Sequence, residues 1–222
     1  KNLYFLEVNT RLQVEHPIQD MITGLDLVAE QIKIASGEKL SIIQKDVKFK
    51  GASIECRICA EDPDNNFLPS TGKLNYMFRV LGNGMREDTG IEQGNEISIY
   101  YDSMISKLIS YGANREMAIT KMKRALRDYK VVGVKTNISF LLSLLECDAF
   151  VKGEYNTQYV EKYFLPELKE KKIVIDKDIE IALSLASILF KESHQEKTVT
   201  KSASSQTGST NNWLKKKLEA SR

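Results

Sequence analysis

The amino-acid sequence predicts an α+β fold, because strand patterns precede helix patterns along much of the chain. Residues 50–60 alternate between apolar and polar side chains, as expected of a strand with one buried face. Residues 114–129 change to helical spacing, and their apolar stripe consists of Ala118, Met122, Ala125 and Leu126. This stripe is predicted to be the inner side of the helix.

The other elements follow from the same two periodicities, taken in chain order. Residues 3–8 form a predicted buried strand. Residues 25–36 form a predicted helix whose apolar stripe consists of Leu25, Val28, Ala29, Ile32 and Ala35. Further strands are predicted at residues 73–80, 84–86, 97–101 and 131–134, and further helices at 136–145, 157–164 and 178–191. Residues 193–212 are rich in Ser, Thr, Lys and Gln without apolar periodicity, which indicates a flexible linker.

The composition is that of a globular chain with nearly balanced charge. The 222 residues are 42% hydrophobic and 28% charged, and the formal net charge is +2. This balance gives no electrostatic basis for binding nucleic acid, and no run of about eighteen apolar residues predicts a membrane span. Because the chain starts at Lys1 and runs directly into a predicted strand, we expect it to be a piece of a longer protein. A targeting peptide would then not be visible.

The three cysteines, Cys56, Cys59 and Cys147, are sparse and odd in number, which favours a reducing compartment. The spacing of Cys56 and Cys59 invites a metal-binding or redox interpretation. Both residues lie in the predicted strand 50–60, however, where positions three apart face opposite sides. Since the sequence contains no second cysteine pair, we predict buried structural cysteines.

One alternating segment near the N-terminus has an unusual polar face. Glu7, Asn9, Arg11, Gln13 and Glu15 fall on one side of it. A carboxylate beside an amide oxygen suits Mg²⁺, an arginine offers two donors to an oxyanion, and a glutamate can act as a general base. We therefore expect a metal–phosphate end, an acid–base end and a bend between them. A strand with a solvated face is the plainer alternative.

This segment resembles the signature of biotin carboxylases, the ATP-grasp subunits or domains of biotin-dependent carboxylases. The match runs over residues 5–17 and 21–26 and resumes at residues 55–63, 68–72 and 100–108. In all, the resemblance covers residues 1 to about 165. Residues 88–112 and 150–153 look most like the alpha chain of propionyl-CoA carboxylases.

The resemblance implies a reaction in which ATP phosphorylates bicarbonate to carboxyphosphate, whose CO₂ is captured by a deprotonated nitrogen of biotin. It implies that Glu7 and Asn9 ligate Mg²⁺, or Mn²⁺, between the ATP phosphates. Arg11 would lie near the transferring phosphate and bicarbonate. The family's other nucleotide contacts precede these motifs and would lie upstream of Lys1, so we expect the chain alone to be inactive.

Four more site residues are assigned by the resemblance. Gln13 and the backbone N–H of Val14 would position bicarbonate, and Glu15 would be the base that deprotonates it. Arg57 would hold the anion and stabilise the enolate-like form of biotin. The plainer alternative for an arginine in a strand is an exposed residue or half of an ion pair.

Three residues have supporting assignments. Asp102 would pair with Arg57 and hold its guanidinium in place. His16 stands alone beside a proline, and we predict a hydrogen-bonded positioning residue rather than a metal ligand or a base. Arg86 is similar to a dimer-interface position of bacterial family members, which implies an oligomer.

The resemblance divides the chain into three parts. Residues 1–40 would end an ATP-grasp domain, and residues 41–166 would form the biotin carboxylase C-terminal domain, with an antiparallel sheet and helices. Residues 167–222 would be a helix and a linker toward a further domain. The implied partners are ATP, bicarbonate, a biotin carrier domain and a carboxyltransferase β subunit. The implied compartment is the bacterial cytoplasm or the mitochondrial matrix.

Three alternatives stay open from the sequence. The acetyl-CoA, methylcrotonyl-CoA and pyruvate carboxylases share most of these motifs, and a component outside the chain selects the acyl-CoA. Other ATP-grasp ligases, of carbamoyl-phosphate or purine synthesis, share a Glu-x-Asn metal pair, although residues 11–17 together with Arg57 favour the biotin enzymes. A non-catalytic assembly module is the alternative from a different class.

Overall fold

The computed structural model of the chain describes residues 3–170 and 181–191. Its α-helices are α1 His16–Thr23, α2 Leu27–Ala35, α3 Arg115–Asp128, α4 Ile138–Glu146, α5 Asp148–Lys152 and α6 Leu165–Glu170, with a further helix over residues 181–191. Its strands are β1 Ala52–Cys59, β2 Glu61–Asp62, β3 Leu68–Pro69, β4 Gly72–Lys73, β5 Tyr76–Phe78, β6 Met85–Thr89, β7 Glu96–Ile97, β8 Met104–Gly112 and β9 Lys130–Val132. Short 3₁₀ turns cover Gln44–Asp46 and Pro63–Asn65. The chain divides into two compact units, Lys1–Phe164 and Leu165–Arg222.

An antiparallel sheet in the order β1–β8–β6 lies at the centre of the first unit, which confirms the predicted α+β fold. On one face of the sheet, Ile54, Cys56 and Ile58 are 7%, 5% and 0% exposed. Helix α3 packs against β1 and β8, and all four residues of its predicted stripe are buried. The Asn114 side chain begins this helix by accepting a hydrogen bond from the backbone N–H of Met117 at 2.9 Å.

The opposite face of the sheet is charged. Arg57 on β1, Lys107 on β8 and Asp88 on β6 lie directly opposite one another across the three strands. Helix α1 packs against β1 and β8. Pro17 stands in its first turn, where the missing N–H interrupts no intrahelical hydrogen bond. The helix therefore brings the end of the polar N-terminal segment to the sheet.

The buried strand predicted over residues 3–8 is wrong. Leu3, Leu6 and Val8 are 97%, 90% and 67% exposed, and none of the described strands pairs with this segment. An alternating pattern shows which side chains share a face, but burial of that face requires a neighbouring strand or helix. Within residues 3–170 no such neighbour covers it.

The helix predicted over residues 25–36 forms as α2. Its predicted apolar stripe, however, does not face the interior of the structure. Val28 and Ile32 are 40% and 62% exposed, whereas Glu30 is only 8% exposed. Hydrogen bonds from Lys33 at 2.8 Å and from the Ser41 hydroxyl at 2.7 Å replace the hydrogen bonds to water that the Glu30 carboxylate loses on burial. Helical spacing identifies a common side of the helix, but it does not tell which side the rest of the chain covers.

Strand pairing differs from the predicted elements in the middle of the chain. Strand β5 pairs with β9, so the turn at residues 82–84 does not join two paired strands. The strand predicted over residues 97–101 is limited to β7, because Tyr100 and Tyr101, both 85% exposed, lie in a turn.

The predicted helix 157–164 is a π-helical turn at Val160–Phe164. The predicted helix 178–191 is observed over 181–191, and residues 178–180 and 193–212 lie outside the described residues.

All three cysteines are free thiols. Burial raises the pKa of Cys56 to about 12 and that of Cys59 to about 11, so neither is a reactive thiolate at neutral pH. This agrees with the structural role predicted for the Cys56–Cys59 pair. Among the helices of the described segments, none has the length and apolar character needed to cross a membrane.

Candidate active site

An ion pair between Glu15 and Arg57 joins the N-terminal segment to the sheet. Arg57 Nη2 lies 2.9 Å from Glu15 Oε2. Glu15 immediately precedes α1, and Arg57 lies near the end of β1. Both side chains are half exposed, at 43% and 48%, so a small anion from solvent can reach the pair. The base and the anion holder inferred from the sequence are thus brought into contact, although 42 residues separate them in the chain.

A second carboxylate shares the same guanidinium. Glu55 Oε1 accepts a hydrogen bond from Arg57 Nε at 3.4 Å, and the Glu55 side chain is only 4% exposed. Its other oxygen, Oε2, is buried and accepts no hydrogen bond from the described residues. Burial raises the pKa of Glu55, and the charges of Lys107 and Arg57 oppose this rise. Arg57 therefore bridges an accessible carboxylate and a buried one.

Lys107, on the central strand, binds the backbone directly before Glu15. Its Nζ donates to the carbonyl oxygen of Val14 at 2.9 Å and lies 3.3 Å from Asp88 Oδ2. The Lys107 side chain is 12% exposed. No role was predicted for Lys107 from the sequence. The available signal was a single lysine within the apolar segment 104–109.

An ion-pair network continues from Asp88 to helix α1. Arg86 binds Asp88 through two hydrogen bonds, of 2.8 and 3.0 Å, and Asp20 through a third of 2.9 Å. Although burial raises the pKa of Asp88, hydrogen bonds from Arg86 and Lys107 outweigh it and lower that pKa overall. The network thus fixes α1, and with it Glu15, against the sheet.

His16 is a hydrogen-bonded residue, as predicted. Its Nδ1 lies 2.8 Å from the carbonyl oxygen of Gln13. Its Nε2 lies 3.9 Å from Asp20 Oδ2. His16 therefore closes the turn that contains Gln13, Val14 and Glu15.

The predicted pair between Asp102 and Arg57 is not formed. Asp102 Oδ1 instead accepts a hydrogen bond from the backbone N–H of Met104 at 2.9 Å, at the start of β8. The guanidinium of Arg57 is turned toward Glu15 and Glu55. A short acidic side chain next to a strand start readily binds its own backbone, which explains the difference.

Asn137 holds the part of β1 that carries Arg57. Its side-chain Nδ2 donates to the carbonyl oxygen of Arg57, and its Oδ1 accepts from the N–H of Cys59, both at 3.0 Å. The sequence indicated only that Asn137 lies near the start of a helix. It does precede α4, but without a capping hydrogen bond from its side chain. Sequence reasoning missed its link to β1, because the contact spans 80 residues of chain.

Glu7, Asn9 and Arg11 lie apart from this cluster. They stand in the exposed N-terminal segment, and Arg11 donates to the carbonyl oxygen of Leu12 at 3.4 Å. Within the described residues, no three His, Cys, Asp or Glu side chains are grouped so as to hold a metal ion. The two oxygen donors Glu7 and Asn9 still fit Mg²⁺, because this ion takes one or two protein ligands together with phosphates and waters.

Comparison with known proteins shows which family the chain resembles. Residues 55–162 match the biotin carboxylase C-terminal domain, and residues 1–43 match the carbamoyl-phosphate synthase L chain, ATP binding domain. Biotin carboxylase 1 of Bacillus subtilis (strain 168) is 52% identical over 160 residues, which cover 72% of this chain and 36% of that protein. The mitochondrial propionyl-CoA carboxylase alpha chain of Sus scrofa is 46% identical over 192 residues, which cover 86% of this chain and 26% of that protein.

A solved structure extends the likeness to three dimensions. The biotin carboxylase domain of Hydrogenobacter thermophilus 2-oxoglutarate carboxylase, solved as a dimer with MgADP, ADP and bicarbonate, matches with a TM-score of 0.71. The identity is 46%, over 73% of this chain and 36% of that one. The chain thus spans between 26% and 36% of the length of these three proteins. The chain belongs to the biotin carboxylase family.

Proposed function

We propose that this chain forms the bicarbonate-activating part of a biotin carboxylase, which uses ATP to carboxylate biotin through carboxyphosphate. The 2.9 Å contact between Glu15 and Arg57 is the observation that carries the proposal. A carboxylate that accepts a proton and a guanidinium that holds the resulting anion are the two groups that this chemistry needs at one place.

The proposed steps use the accessible face of this pair. Glu15 accepts the proton of bicarbonate, and Arg57 balances the negative charge of the anion. The freed oxygen of bicarbonate attacks the γ-phosphorus of ATP, and the bond between that phosphorus and ADP breaks. Arg11, Gln13 and the N–H of Val14 position the anion. The C–O bond of carboxyphosphate then breaks and gives CO₂ and phosphate. The phosphate takes the proton of the biotin ring nitrogen, Arg57 stabilises the resulting enolate-like form of biotin, and the nitrogen attacks CO₂.

The metal site is assigned to the exposed N-terminal segment. When Mg²⁺, or Mn²⁺, is bound, it neutralises phosphate charge during phosphoryl transfer. Glu7 and Asn9 would hold it, with the remaining positions filled by phosphates and water. We propose that further nucleotide contacts come from outside these 222 residues, and that the chain alone does not turn over.

Among carboxylases, we propose the propionyl-CoA type. Residues 88–112 and 150–153 support it, as does the 192-residue length of the match to the Sus scrofa alpha chain. The acetyl-CoA, methylcrotonyl-CoA and pyruvate types are the alternatives. The proposed partners are a biotin carrier domain, a carboxyltransferase β subunit and a second copy of the chain. The proposed compartment is the bacterial cytoplasm or the mitochondrial matrix.

A chimera tests the proposal directly. The region of Bacillus subtilis biotin carboxylase 1 that precedes the match is joined to residues 1–222, and ADP release is measured with and without bicarbonate and biotin. We expect biotin-dependent release from the chimera and none from the 222 residues alone. A chimera that binds ATP but shows no dependence on biotin would contradict the proposed function. Activity of the 222 residues alone would contradict the proposed need for upstream contacts.

The carboxylase type needs a separate experiment. The chimera is offered purified carboxyltransferase subunits of the propionyl-CoA, methylcrotonyl-CoA and acetyl-CoA types, together with the biotin carrier domain. We expect carboxylated product with propionyl-CoA at the highest kcat/KM. A higher kcat/KM with another acyl-CoA would replace the propionyl assignment and leave the biotin carboxylase assignment intact.

A further inference from the structure

We infer that Lys107 is a positioning residue of this site: its ammonium holds the Val14 carbonyl and thereby places the Glu15 carboxylate against Arg57. The inference rests on the proposed function, because it concerns the base of that reaction. No contact between Lys107 and the reacting groups is invoked. Its action runs through the backbone of the turn that precedes α1.

The register of the sheet places Lys107 beside Arg57 and within hydrogen-bond distance of the Val14 carbonyl. Lys107 lies on the central strand, between Arg57 on one neighbour and Asp88 on the other. Side chains at directly opposed positions stand on the same face of the sheet. The Lys107 side chain is nearly buried there, at 12% exposure, and its Nζ ends 2.9 Å from the Val14 carbonyl oxygen. The same residue position therefore faces both the anion holder and the turn that carries the base.

The charge arrangement favours a positional role over a purely stabilising one. Two cations directly opposite each other across antiparallel strands repel, and this lowers the stability of the sheet. Asp88, 3.3 Å from Lys107 Nζ, and Glu55, 3.4 Å from Arg57 Nε, offset the repulsion. An apolar side chain at position 107 would avoid the repulsion altogether, but it could not bind the Val14 carbonyl.

The bond to Val14 acts at the peptide that determines where Glu15 lies. The Val14 carbonyl belongs to the peptide group between Val14 and Glu15, and α1 begins at the next residue. His16 fixes the preceding carbonyl, that of Gln13. Together these two bonds fix the direction in which the chain enters the helix. Without the Lys107 bond, the Glu15 carboxylate is held by its own contact with Arg57 and by the more distant pair of Arg86 with Asp20 of α1.

The test compares K107M with K107R and with a matched control. Lys121 Nζ also donates to a backbone carbonyl at 2.9 Å, that of Tyr111, at the far end of the same strand. In the chimera described above, we expect K107M to lower kcat about 10²-fold, the effect of displacing a reacting group by about 1 Å. The KM for ATP should stay near the wild-type value. K107R should recover most of the loss, and K121M should keep the wild-type kcat.

Two outcomes of the kinetic test would overturn the inference. One is a K107M chimera with the wild-type kcat, and the other is an equal loss in K121M. The variant D88N/K107M removes the Asp88 charge, which K107M leaves paired with Arg86 alone, so recovery of kcat in it would also count against Lys107. Failure of the proposed function is separate, because the unsubstituted chimera would then lack biotin-dependent ADP release.

A second measurement does not depend on turnover. Amide hydrogen exchange of the 222-residue chain, followed by mass spectrometry, reports the ordering of residues 13–17 directly. We expect K107M to exchange faster in that segment with β8 unchanged, and K121M to exchange there like the wild type. Unchanged exchange of residues 13–17 in K107M would overturn the inference even if the chimera were inactive.

Discussion

Asn137 binds the peptide backbone of β1 on both sides of Ile58: its amide donates to the carbonyl of Arg57 and accepts from the N–H of Cys59, each at 3.0 Å. The register between β1 and β8 shifts at this point, between Ile58 and Cys59. Asn137 thus supplies partners to backbone groups where the strand ladder is irregular. One of these two bonds is to the peptide backbone of Arg57 itself.

Replacing Asn137 should therefore affect both stability and activity. N137A leaves two backbone groups without their partners, so we expect the free energy of unfolding to fall by about 2 kcal/mol. In the chimera, kcat should fall as well, because Arg57 loses its support. N114A is the matched control, since it removes a capping asparagine from α3 and should lower stability by about 1 kcal/mol without changing kcat. Equal kcat values for N137A and N114A would contradict the link to Arg57.

Replacing Glu15 tests the proposed base. E15Q keeps the size of the side chain and an oxygen for Arg57, but it removes the group that accepts a proton. We expect kcat for biotin carboxylation to fall by about 10²- to 10⁴-fold, while Mg·ATP binding measured by calorimetry stays close to the wild-type value. E116Q, on the exposed start of α3, is the control for loss of one charge. Near-normal turnover of E15Q would show that another group is the base.

Periodicity in the sequence predicted the parts of the fold whose burial one neighbouring element decides. Strand β1 and helix α3 cover each other, so alternation in the one and the stripe of the other correctly identified both buried faces. The same method failed for residues 3–8 and for α2, where no described neighbour covers the apolar side. Apolar spacing can be seen in one segment alone, whereas burial also requires a second element that covers the apolar side.

The candidate site, too, could be predicted from the sequence only in part. The chemistry of Glu15 and Arg57 could be inferred from residue types and family resemblance. Their contact, and the roles of Lys107 and Asn137, could not, because each depends on strand register or on contacts across 42 to 93 residues of chain. The expected pair of Asp102 with Arg57 does not form, because Asp102 binds the backbone N–H of Met104 and the guanidinium binds Glu15 and Glu55.

Glu55 should make the stability of the chain fall as pH rises. Burial raises its folded-state pKa above the ordinary value of 4.5, so its favourable contribution is present below that value and is lost as pH rises through the raised pKa. E55Q cannot ionise. We therefore expect the Tm of E55Q, relative to the wild type, to increase between about pH 4 and about pH 8. A Tm difference that is constant over this range, or that decreases, would contradict the burial argument.

Glu30 should show the opposite pH dependence. Its hydrogen bond with Lys33, then those from Ser41, lower its pKa from 4.5 to about 2. The stabilisation is therefore present above about pH 4.5 and is lost as pH falls toward about 2. We expect E30Q to have a lower urea midpoint than the wild type at neutral pH, with a difference that shrinks as the solution is acidified. The Lys33 side chain is 44% exposed, so added salt should reduce the difference as well.

E38Q provides the control for Glu30, because it removes an equal charge three residues beyond the end of α2. Because the charge of Glu38 also acts on Lys33, E38Q should lower the urea midpoint slightly, and much less than E30Q does at neutral pH. If E30Q and E38Q gave equal shifts, the effect would come from net charge rather than from the buried bonds to Lys33 and Ser41. A larger E30Q shift in acid than at neutral pH would show that these bonds do not stabilise the ionised carboxylate.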